Sequence, residues 1–252
     1  MKVALVTGSS SGIGKATIEA FRCQGWQTIG LSRREGVDIT DESAVSAAIE
    51  RALHDFGRID ALVNNAGIGT FGATEFASSA DVRRTFEVNF VAAARLVQLV
   101  LPVMRRQGGG RIINVASAAA MFPLPFQSVY SASKSAMLAW SRALAGEVAR
   151  FGIRVSVVCP GDLKTGFTSA RTLSPIGDGS YEAVVAQALA KATAAEEHGG
   201  EPSAVAKLIV ACASRRHPPL VVIPGWGYRL LDLGARFLPR SWVSALIARF
   251  YV

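Results

Sequence analysis

Hydrophobic and polar positions alternate between two patterns along this chain. Short runs of β-branched and apolar residues predict buried strands, and apolar positions three or four apart predict helices. The predicted strands are Val3–Thr7, Trp26–Leu31, Ile59–Asn64, Arg111–Ala116, Ile153–Cys159 and Leu220–Ile223. The predicted helices are Gly12–Gly25, Asp41–Phe56, with Asp41 as N-cap, Ser79–Arg106, Tyr130–Phe151 and about Tyr181–Glu197.

Near-continuous apolar strands separated by helices are typical of a parallel sheet that is covered on both faces. The 252 residues therefore predict the α/β class, with one domain over residues 1–252 built as a doubly wound parallel sheet with helices on both faces. The least regular region, about residues 166–200, contains Pro175, Gly177 and Gly179. We predict that it forms a mobile lid over a substrate cleft.

Composition narrows the function classes. Half of the residues are hydrophobic and 18% are charged, which excludes intrinsic disorder. An uninterrupted run of ~18 apolar residues is missing, so we predict no membrane-spanning helix. The run Val3–Val6 is too short for a signal peptide, and a cytoplasmic protein is expected. Cysteines and histidines lack metal-ligand spacing, so no metal is predicted. The net charge of +8 is spread along the chain, which favours an anionic cofactor over nucleic acid.

A glycine-rich turn joins the first predicted strand to the first helix. Gly8 permits a tight turn, Gly12 lets the backbone approach a pyrophosphate, and Gly14 lets helix and strand pack closely. The helix start offers unpaired N–H groups and a positive dipole end to phosphates. This spacing at this junction predicts a Rossmann-type dinucleotide-binding fold.

The end of the second predicted strand bears on cofactor choice. NAD sites usually place an acidic residue here for the ribose hydroxyl, and neither Ser32 nor Arg33 is acidic. The planar guanidinium of Arg33 can instead pair with a 2′-phosphate, so NADP(H) is the predicted cofactor. The alternative is that Arg33 and Arg34 are solvated loop charges. Asp38 could accept a hydrogen bond from the adenine amino group.

An ordered set of motifs over about residues 1–165 resembles the short-chain dehydrogenase/reductase family. The set comprises Thr7-Gly8-x-x-x-Gly12-Ile13-Gly14, Asn64-Asn65-Ala66-Gly67, Asn89, Ser117, Tyr130-x-x-x-Lys134 and Pro160-Gly161. The resemblance implies an oxidoreductase with Ser117, Tyr130, Lys134 and Asn89 as catalytic residues. Asn89 would hold a water that relays protons to Lys134, and Thr165 would contact the nicotinamide carboxamide. The cofactor-binding set is Gly8, Ser10, Ser11, Gly12, Ile13, Gly14, Ser32, Arg33, Asp38, Ile39, Asn65, Ala66, Gly67, Tyr130, Lys134, Pro160, Gly161, Leu163 and Thr165.

Tyr130 and Lys134 are four residues apart, so they share one face of a helix. A nearby ammonium favours the phenolate, and we expect Lys134 to lower the pKa of Tyr130. Tyr130 would then act as acid in reduction and as base in oxidation. Ser117 would stabilise charge that develops on the substrate oxygen.

The sequence allows more than one role for the segments near the substrate cleft. Residues 121–126 form an apolar segment that either walls the cleft or packs into the core or a dimer interface. The apolar and basic segment 228–252, which we predict to be helical, resembles the endings of hydroxysteroid, retinol and acyl-lipid dehydrogenases, which implies a lipophilic carbonyl or alcohol substrate. This segment could lie on a membrane, cap the cleft or contact a second subunit, and a homodimer is expected.

Two alternatives to an enzyme remain open. The same fold could serve as a non-catalytic dinucleotide-binding sensor or scaffold, because fold alone does not establish activity. The C-terminal segment could also belong to a membrane-peripheral lipid-binding protein.

Overall fold

The computed structural model describes residues 1–167, 170–175 and 177–251, without the side chains of Arg240 and Tyr251. Residues 168, 169 and 176 of the predicted lid lie outside the described residues. The same holds for residue 252, which ends the predicted C-terminal segment.

In the described residues, six parallel strands form the central sheet. In chain order they are β1 (Val3–Thr7), β2 (Gln27–Leu31), β3 (Ala61–Asn64), β5 (Gly110–Val115), β6 (Ile153–Val158) and β8 (Val221–Val222). Their order across the sheet is β2-β1-β3-β5-β6-β8. The direction of winding reverses between β1 and β3, and ligands of such folds bind at the carboxyl ends beside that point.

A second, two-stranded parallel sheet lies outside the predicted elements. Its strands are β4 (Thr70–Phe71) and β7 (Thr172–Leu173). Runs of two residues are too short for a periodicity signal. This sheet ties the loop after β3 to the predicted lid.

Nine α-helices are present in the described part of the chain. They are α1 (Gly12–Cys23), α2 (Glu42–Phe56), α3 (Ser79–Phe86), α4 (Ala92–Arg106), α5 (Ser128–Val148), α6 (Glu182–Glu197), α7 (Pro202–Ser214), α8 (Trp226–Ala235) and α9 (Arg240–Tyr251). A π-helical turn, Glu87–Val91, joins α3 to α4, so the predicted helix Ser79–Arg106 is confirmed as one continuous stretch. Asp41 caps α2, as predicted, because its side chain accepts from the backbone N–H groups of Ser43 and Ala44.

Each face of the sheet contributes to a separate apolar core. Leu5 and Leu62 pack with residues of α2, α4 and α5, whereas Val6 and Val63 pack with residues of α1 and α7. Neighbouring positions in a strand point to opposite faces, and both are apolar here. The predicted arrangement, with helices on both faces of a parallel sheet, is therefore confirmed.

Helix α7 was not predicted. Pro202 stands in its first turn, a favourable place for proline, and its buried residues include Val205, Ile209 and Val210. The segment is apolar almost throughout, so it lacks the polar face that helical periodicity requires. Helix α7 nevertheless covers α1 and β5.

The helical stretch Ser79–Arg106 is long and apolar enough to cross a membrane by length and composition alone. Its residues Leu96, Val100 and Met104 are buried in the core that contains Leu62. We therefore interpret it as a helix of the core layer, since core helices pass the same test.

Candidate active site

The carboxyl ends of the central strands open into one large cavity of about 1460 Å³. Its walls come from both ends of the sequence, from the glycine turn near residue 8 to α9. Most residues of the predicted cofactor set line it: Gly8, Ser10, Ser11, Gly12, Ile13, Ser32, Arg33, Asp38, Ile39, Asn65, Ala66, Gly67, Tyr130, Lys134, Pro160, Gly161, Leu163 and Thr165.

The glycine turn forms the floor of one end of this cavity. Gly8 and Gly12 have φ values of +64° and +50°, the left-handed region that glycine adopts without strain. A Cβ on Gly14 would lie 2.1 Å from the carbonyl oxygen of Gly8, so Gly14 serves helix–strand packing and does not line the cavity. The side chain of Ser11 makes no capping hydrogen bond at the start of α1. The first N–H groups of α1 can therefore meet phosphate oxygens.

The turn after β2 shapes the same end of the cavity. Arg33 and Arg34 are exposed and line the cavity, next to the buried Ser32. Asp38 accepts hydrogen bonds from the backbone N–H and hydroxyl of Thr40, and these lower its pKa. Asp38 is thus charged at neutral pH and placed at the cavity wall.

Sequence reasoning missed Glu35 at this turn. Its carboxylate accepts hydrogen bonds from the hydroxyls of Ser9 and Ser32. A Cβ on Gly30 would lie 2.1 Å from that carboxylate, so the side chain folds back across the end of β2. The acidic group of this turn is therefore bound to Ser9 and Ser32, and Glu35 does not line the cavity.

The segment Asn64–Gly67 is held by hydrogen bonds to β1 and β5. The hydroxyl of Thr7 accepts from the backbone N–H groups of Asn65 and Ala66, each at 2.9 Å. The Asn65 side chain donates to the Thr7 carbonyl at 2.9 Å, and the Asn64 side chain donates to Asn114 at 2.9 Å. Asn64 is buried away from the cavity, whereas the next three residues line it.

Ser117, Tyr130 and Lys134 lie together at the wall of the cavity. Ser117 follows β5 and hydrogen-bonds the phenol of Tyr130, which stands in the first turn of α5. The Lys134 ammonium lies 5.9 Å from the centre of the Tyr130 ring and donates to the Val115 carbonyl at 3.0 Å. One strand end and one helix turn thus bring the three groups together.

The pKa values correct one expectation. Burial raises the pKa of Tyr130, while its hydrogen bond to Ser117 and the positive charge of Arg171 oppose the rise. Burial also lowers the pKa of Lys134 to about 8. The expectation that Lys134 lowers the pKa of Tyr130 is therefore wrong for this structure. Loss of water around the phenol raises that pKa by more than the positive charge of Arg171 lowers it.

Asn89 occupies the middle of the π-helical turn, a local widening that is frequent at functional sites. Its side chain accepts from the Ile68 N–H at 2.8 Å and donates to the Ile68 carbonyl at 2.9 Å. It does not line the cavity, but a Cβ on Gly67 would lie 3.2 Å from both its Oδ1 and the Lys134 ammonium. Asn89 and Lys134, the two residues predicted to form a proton relay, therefore both lie close to Gly67.

The loop after β6 crosses the cavity towards the glycine turn. A Cβ on Gly12 would lie 3.5 Å from the Thr165 methyl group, so the two segments face each other closely. The phenol of Tyr228 donates to the Asp162 carboxylate at 2.6 Å and lies against Gly161. The C-terminal segment is thereby attached to this loop.

The C-terminal segment caps the cleft, one of the three arrangements left open by its sequence. Helices α8 and α9 supply apolar cavity residues. These are Leu231, Leu246, Ile247 and Phe250. The opposite side remains exposed, including Trp226, Phe237 and Trp242.

The apolar segment 121–126 divides between the two roles considered for it. Phe122 and Leu124 line the cavity. Met121 packs against a core cluster around Met137, and Phe126 packs against Phe71, with ring centres 6.4 Å apart. The segment 121–126 therefore contributes side chains both to the cavity wall and to the apolar core.

The region predicted as a lid also supplies part of the cavity wall, and it meets α9, where Lys191 donates to the Phe250 carbonyl at 2.9 Å. Phe167, Ala170 and Arg171 line the cavity before β7, and Ala192 and Glu196 line it from α6. Sequence reasoning assigned no role to Arg171 or Glu196. The segment also contains Asp178, Glu182, Lys191 and Glu197, so the sequence holds no signal that singles out this pair.

Comparisons with known proteins agree with this geometry. A model of the short chain dehydrogenase family matches residues 36–174. The chain is 36% identical, over 263 aligned positions, to 3-ketodihydrosphingosine reductase of Bacteroides thetaiotaomicron, covering 99% of this chain and 98% of that protein.

Solved structures show the same architecture. A short-chain dehydrogenase of Streptomyces avermitilis is similar with a TM-score of 0.82 at 31% identity, covering 93% of this chain and 94% of that one. The 3-ketoacyl-(acyl-carrier-protein) reductase of Brucella melitensis, complexed with NADH, is similar with a TM-score of 0.76 at 26% identity. That match covers 90% of this chain and 98% of the Brucella chain.

Proposed function

The chain belongs to the short-chain dehydrogenase family, and from that premise we propose that it is an NADPH-dependent reductase of a lipophilic ketone. The observation that carries the proposal is the meeting of Ser117, Tyr130 and Lys134 at the boundary between two halves of one cavity. One half has the polar, glycine-lined form of a dinucleotide site, and the other is mainly apolar.

The residues present fit a nicotinamide dinucleotide. The missing Cβ atom of Gly8 makes room for Asn65 and Ala66, and that of Gly12 leaves the backbone open to a pyrophosphate beside the start of α1. Lys134 and Thr165 would hold the nicotinamide end. When bound, the reduced nicotinamide supplies the hydride, and the chain supplies position and electrostatics.

Tyr130 would deliver the proton in reduction. A raised pKa keeps its phenol protonated at neutral pH, the form that donates to a developing alkoxide. Ser117 would donate a second hydrogen bond to the same oxygen and stabilise its charge. Lys134 would orient the cofactor ribose and return a proton to Tyr130 with the help of Asn89.

The preference for NADPH over NADH rests on the arginines of the turn after β2. Arg33 and Arg34 line the adenosine end and can pair with a 2′-phosphate. The acidic group in this turn, Glu35, already accepts two serine hydroxyls, which fix the turn that carries both arginines.

A lipophilic substrate follows from the walls beyond Tyr130. Phe122 and Leu124 on one side and the apolar residues of α8 and α9 on the other leave few polar anchors. The ketodihydrosphingosine reductase of Bacteroides, related over nearly the whole chain, supports a long-chain ketone by its name.

The exposed side of α8 and α9 needs a partner under this proposal. Large apolar side chains there include Trp226, Phe237 and Trp242, with Arg229 and Arg236 nearby. A lipid surface would suit both the apolar and the cationic groups. A second copy of the chain is the other candidate, and the homodimer stays a prediction.

A sedimentation experiment separates the two partners. Binding to anionic vesicles at low salt that weakens at high salt would support lipid contact. A dimer that dissociates into monomers in Trp242→Ala would support a second copy of the chain as the partner, provided that the wild-type protein does not bind vesicles.

The enzyme proposal is tested with a panel of long- and short-chain ketones and both reduced cofactors. We expect NADPH oxidation with the long-chain ketones, and Tyr130→Phe should lower turnover by ~100- to 10,000-fold while NADPH binding persists. The panel also tests the sensor alternative. NADPH binding without turnover of any ketone would favour a non-catalytic sensor.

A further inference from the structure

A buried ion pair lies in the substrate half of the cavity, outside the groups used by the proposed chemistry. Arg171 precedes β7, and Glu196 lies in the last turn of α6. The guanidinium hydrogen-bonds the carboxylate, and the two side chains are 6% and 10% exposed. Both residues line the cavity.

Aromatic rings hold the guanidinium near the catalytic phenol. The Arg171 guanidinium carbon lies 5.9 Å from the centre of the Phe71 ring and 5.8 Å from that of Phe167. The Phe167 ring in turn lies 5.6 Å from the Tyr130 ring. A single aromatic ring therefore separates Arg171 from the proposed proton donor.

The backbone fixes this position. The N–H of Thr172 donates to the Gly69 carbonyl at 2.9 Å, which extends the pairing of β4 with β7. The stem of Arg171 packs on Gly69, where a Cβ would lie 2.8 Å from Arg171 Cγ. A larger residue at position 69 would displace the stem, so the loop after β3 leaves room for this arginine.

The guanidinium retains unused donors. Among the described residues, Nε and Nη1 of Arg171 are buried and have no hydrogen-bond partner. Burying the donors of a charged group without partners costs free energy, and such groups in native proteins call for an explanation. A purely structural ion pair would be expected to satisfy its donors more fully.

We propose that Arg171 is a specificity-determining residue whose guanidinium, when substrate binds, turns the two buried N–H groups that lack a partner towards a neutral oxygen of the substrate, a hydroxyl or carbonyl near the reacting ketone. Glu196 holds the guanidinium in place and balances its charge. The adjacent carboxylate repels a second carboxylate, so the site favours an uncharged oxygen over a free acid. This inference rests on the proposed reductase function.

Two matched ketones test the inference without any variant. The probes are a dodecanone and the hydroxydodecanone that carries a hydroxyl two carbons from the ketone. We expect kcat/KM with NADPH to be ~10- to 100-fold higher for the hydroxyketone, the effect of one hydrogen bond to a charged donor. Equal values for both ketones would overturn the inference and leave the reductase function standing.

Variants then assign the preference to the guanidinium. Arg171→Met should remove the preference, so that the ratio of kcat/KM for the hydroxyketone to kcat/KM for the plain dodecanone falls to about one. The double variant Arg171→Met with Glu196→Gln leaves no lone buried charge and should behave in the same way. Retention of the preference by either folded variant, as judged by thermal melting, would overturn the inference.

The outcomes also separate this inference from the function on which it rests. If the wild-type protein reduces neither ketone with either cofactor, the proposed function fails. If it reduces both ketones and loses only the discrimination in Arg171→Met, both proposals stand. A merely structural role for Arg171 would lower kcat/KM for the two ketones equally.

Discussion

The two halves of the cavity are built in different ways. The cofactor half consists of strand ends and tight turns, and hydrogen bonds from backbone N–H groups to the Thr7 hydroxyl help to hold it in place. The substrate half consists of side chains from α6, α8, α9 and the segment around Phe167. Backbone geometry suits a shared, invariant ligand, whereas side chains on helices can vary with the substrate.

The largest effect should come from closing the space in the cofactor half. Gly14→Ala would place a Cβ 2.1 Å from the Gly8 carbonyl oxygen, so α1 must move away from β1. We expect a loss of ~1–3 kcal/mol of unfolding free energy and loss of measurable NADPH binding. Thermal melting and NADPH fluorescence titration measure the two effects.

Gly146→Ala provides the matched control. Gly146 lies in α5 with nothing within 4 Å of an added Cβ, and alanine should stabilise the helix by about 1 kcal/mol. Normal NADPH binding by Gly14→Ala would contradict the role of close packing in the cofactor half.

The next effect concerns the choice of cofactor. Arg33→Asp should lower kcat/KM for NADPH by ~10- to 100-fold, because a 2′-phosphate loses a charge-assisted partner and meets a carboxylate. Steady-state kinetics with NADPH and NADH measure the change. Arg51→Asp, an exposed change on α2 away from the cavity, should leave both values unaltered. An unchanged cofactor ratio in Arg33→Asp would remove Arg33 from this role.

The pH dependence of kcat/KM tests Tyr130 and Lys134, the groups between the cofactor half and the substrate half of the cavity. Burial lowers the pKa of Lys134 to about 8, so its ammonium is present below that pH and is lost above it. Tyr130, whose pKa is raised, stays protonated through the same range. We expect kcat/KM for ketone reduction to be level below pH 8 and to fall by about tenfold per pH unit above it. A profile that is level to pH 10 would contradict the need for a charged Lys134.

The smallest effect should come from the apolar wall. Ile247→Ala removes contacts from α9 at the cavity, and we expect kcat/KM for a twelve-carbon ketone to fall by ~3- to 10-fold. A four-carbon ketone, too short to reach α9, should be unaffected. Val243→Ala on the same helix, outside the cavity, is the control. An equal loss with both ketones would show that α9 does not contact the substrate chain.

Much of the cofactor half could be predicted from sequence because its requirements are local. Gly8, Gly12 and Gly14 act within one turn, and Tyr130 and Lys134 share one helix face through their spacing. The substrate half escaped prediction because its contacts join distant segments. Arg171 reaches Glu196 across 25 positions, and Tyr228 reaches Asp162 across 66.

The sequence by itself determined the α/β sheet, the glycine turn and the identity of the groups that can transfer a proton. Their spacing is local, and local spacing follows from backbone geometry. Only the tertiary structure decided that Glu35 folds back to Ser9 and Ser32, and that burial raises the pKa of Tyr130. It also decided that α8 and α9 cap the cleft. These outcomes depend on which surfaces exclude water together, and no single segment of the chain contains that information.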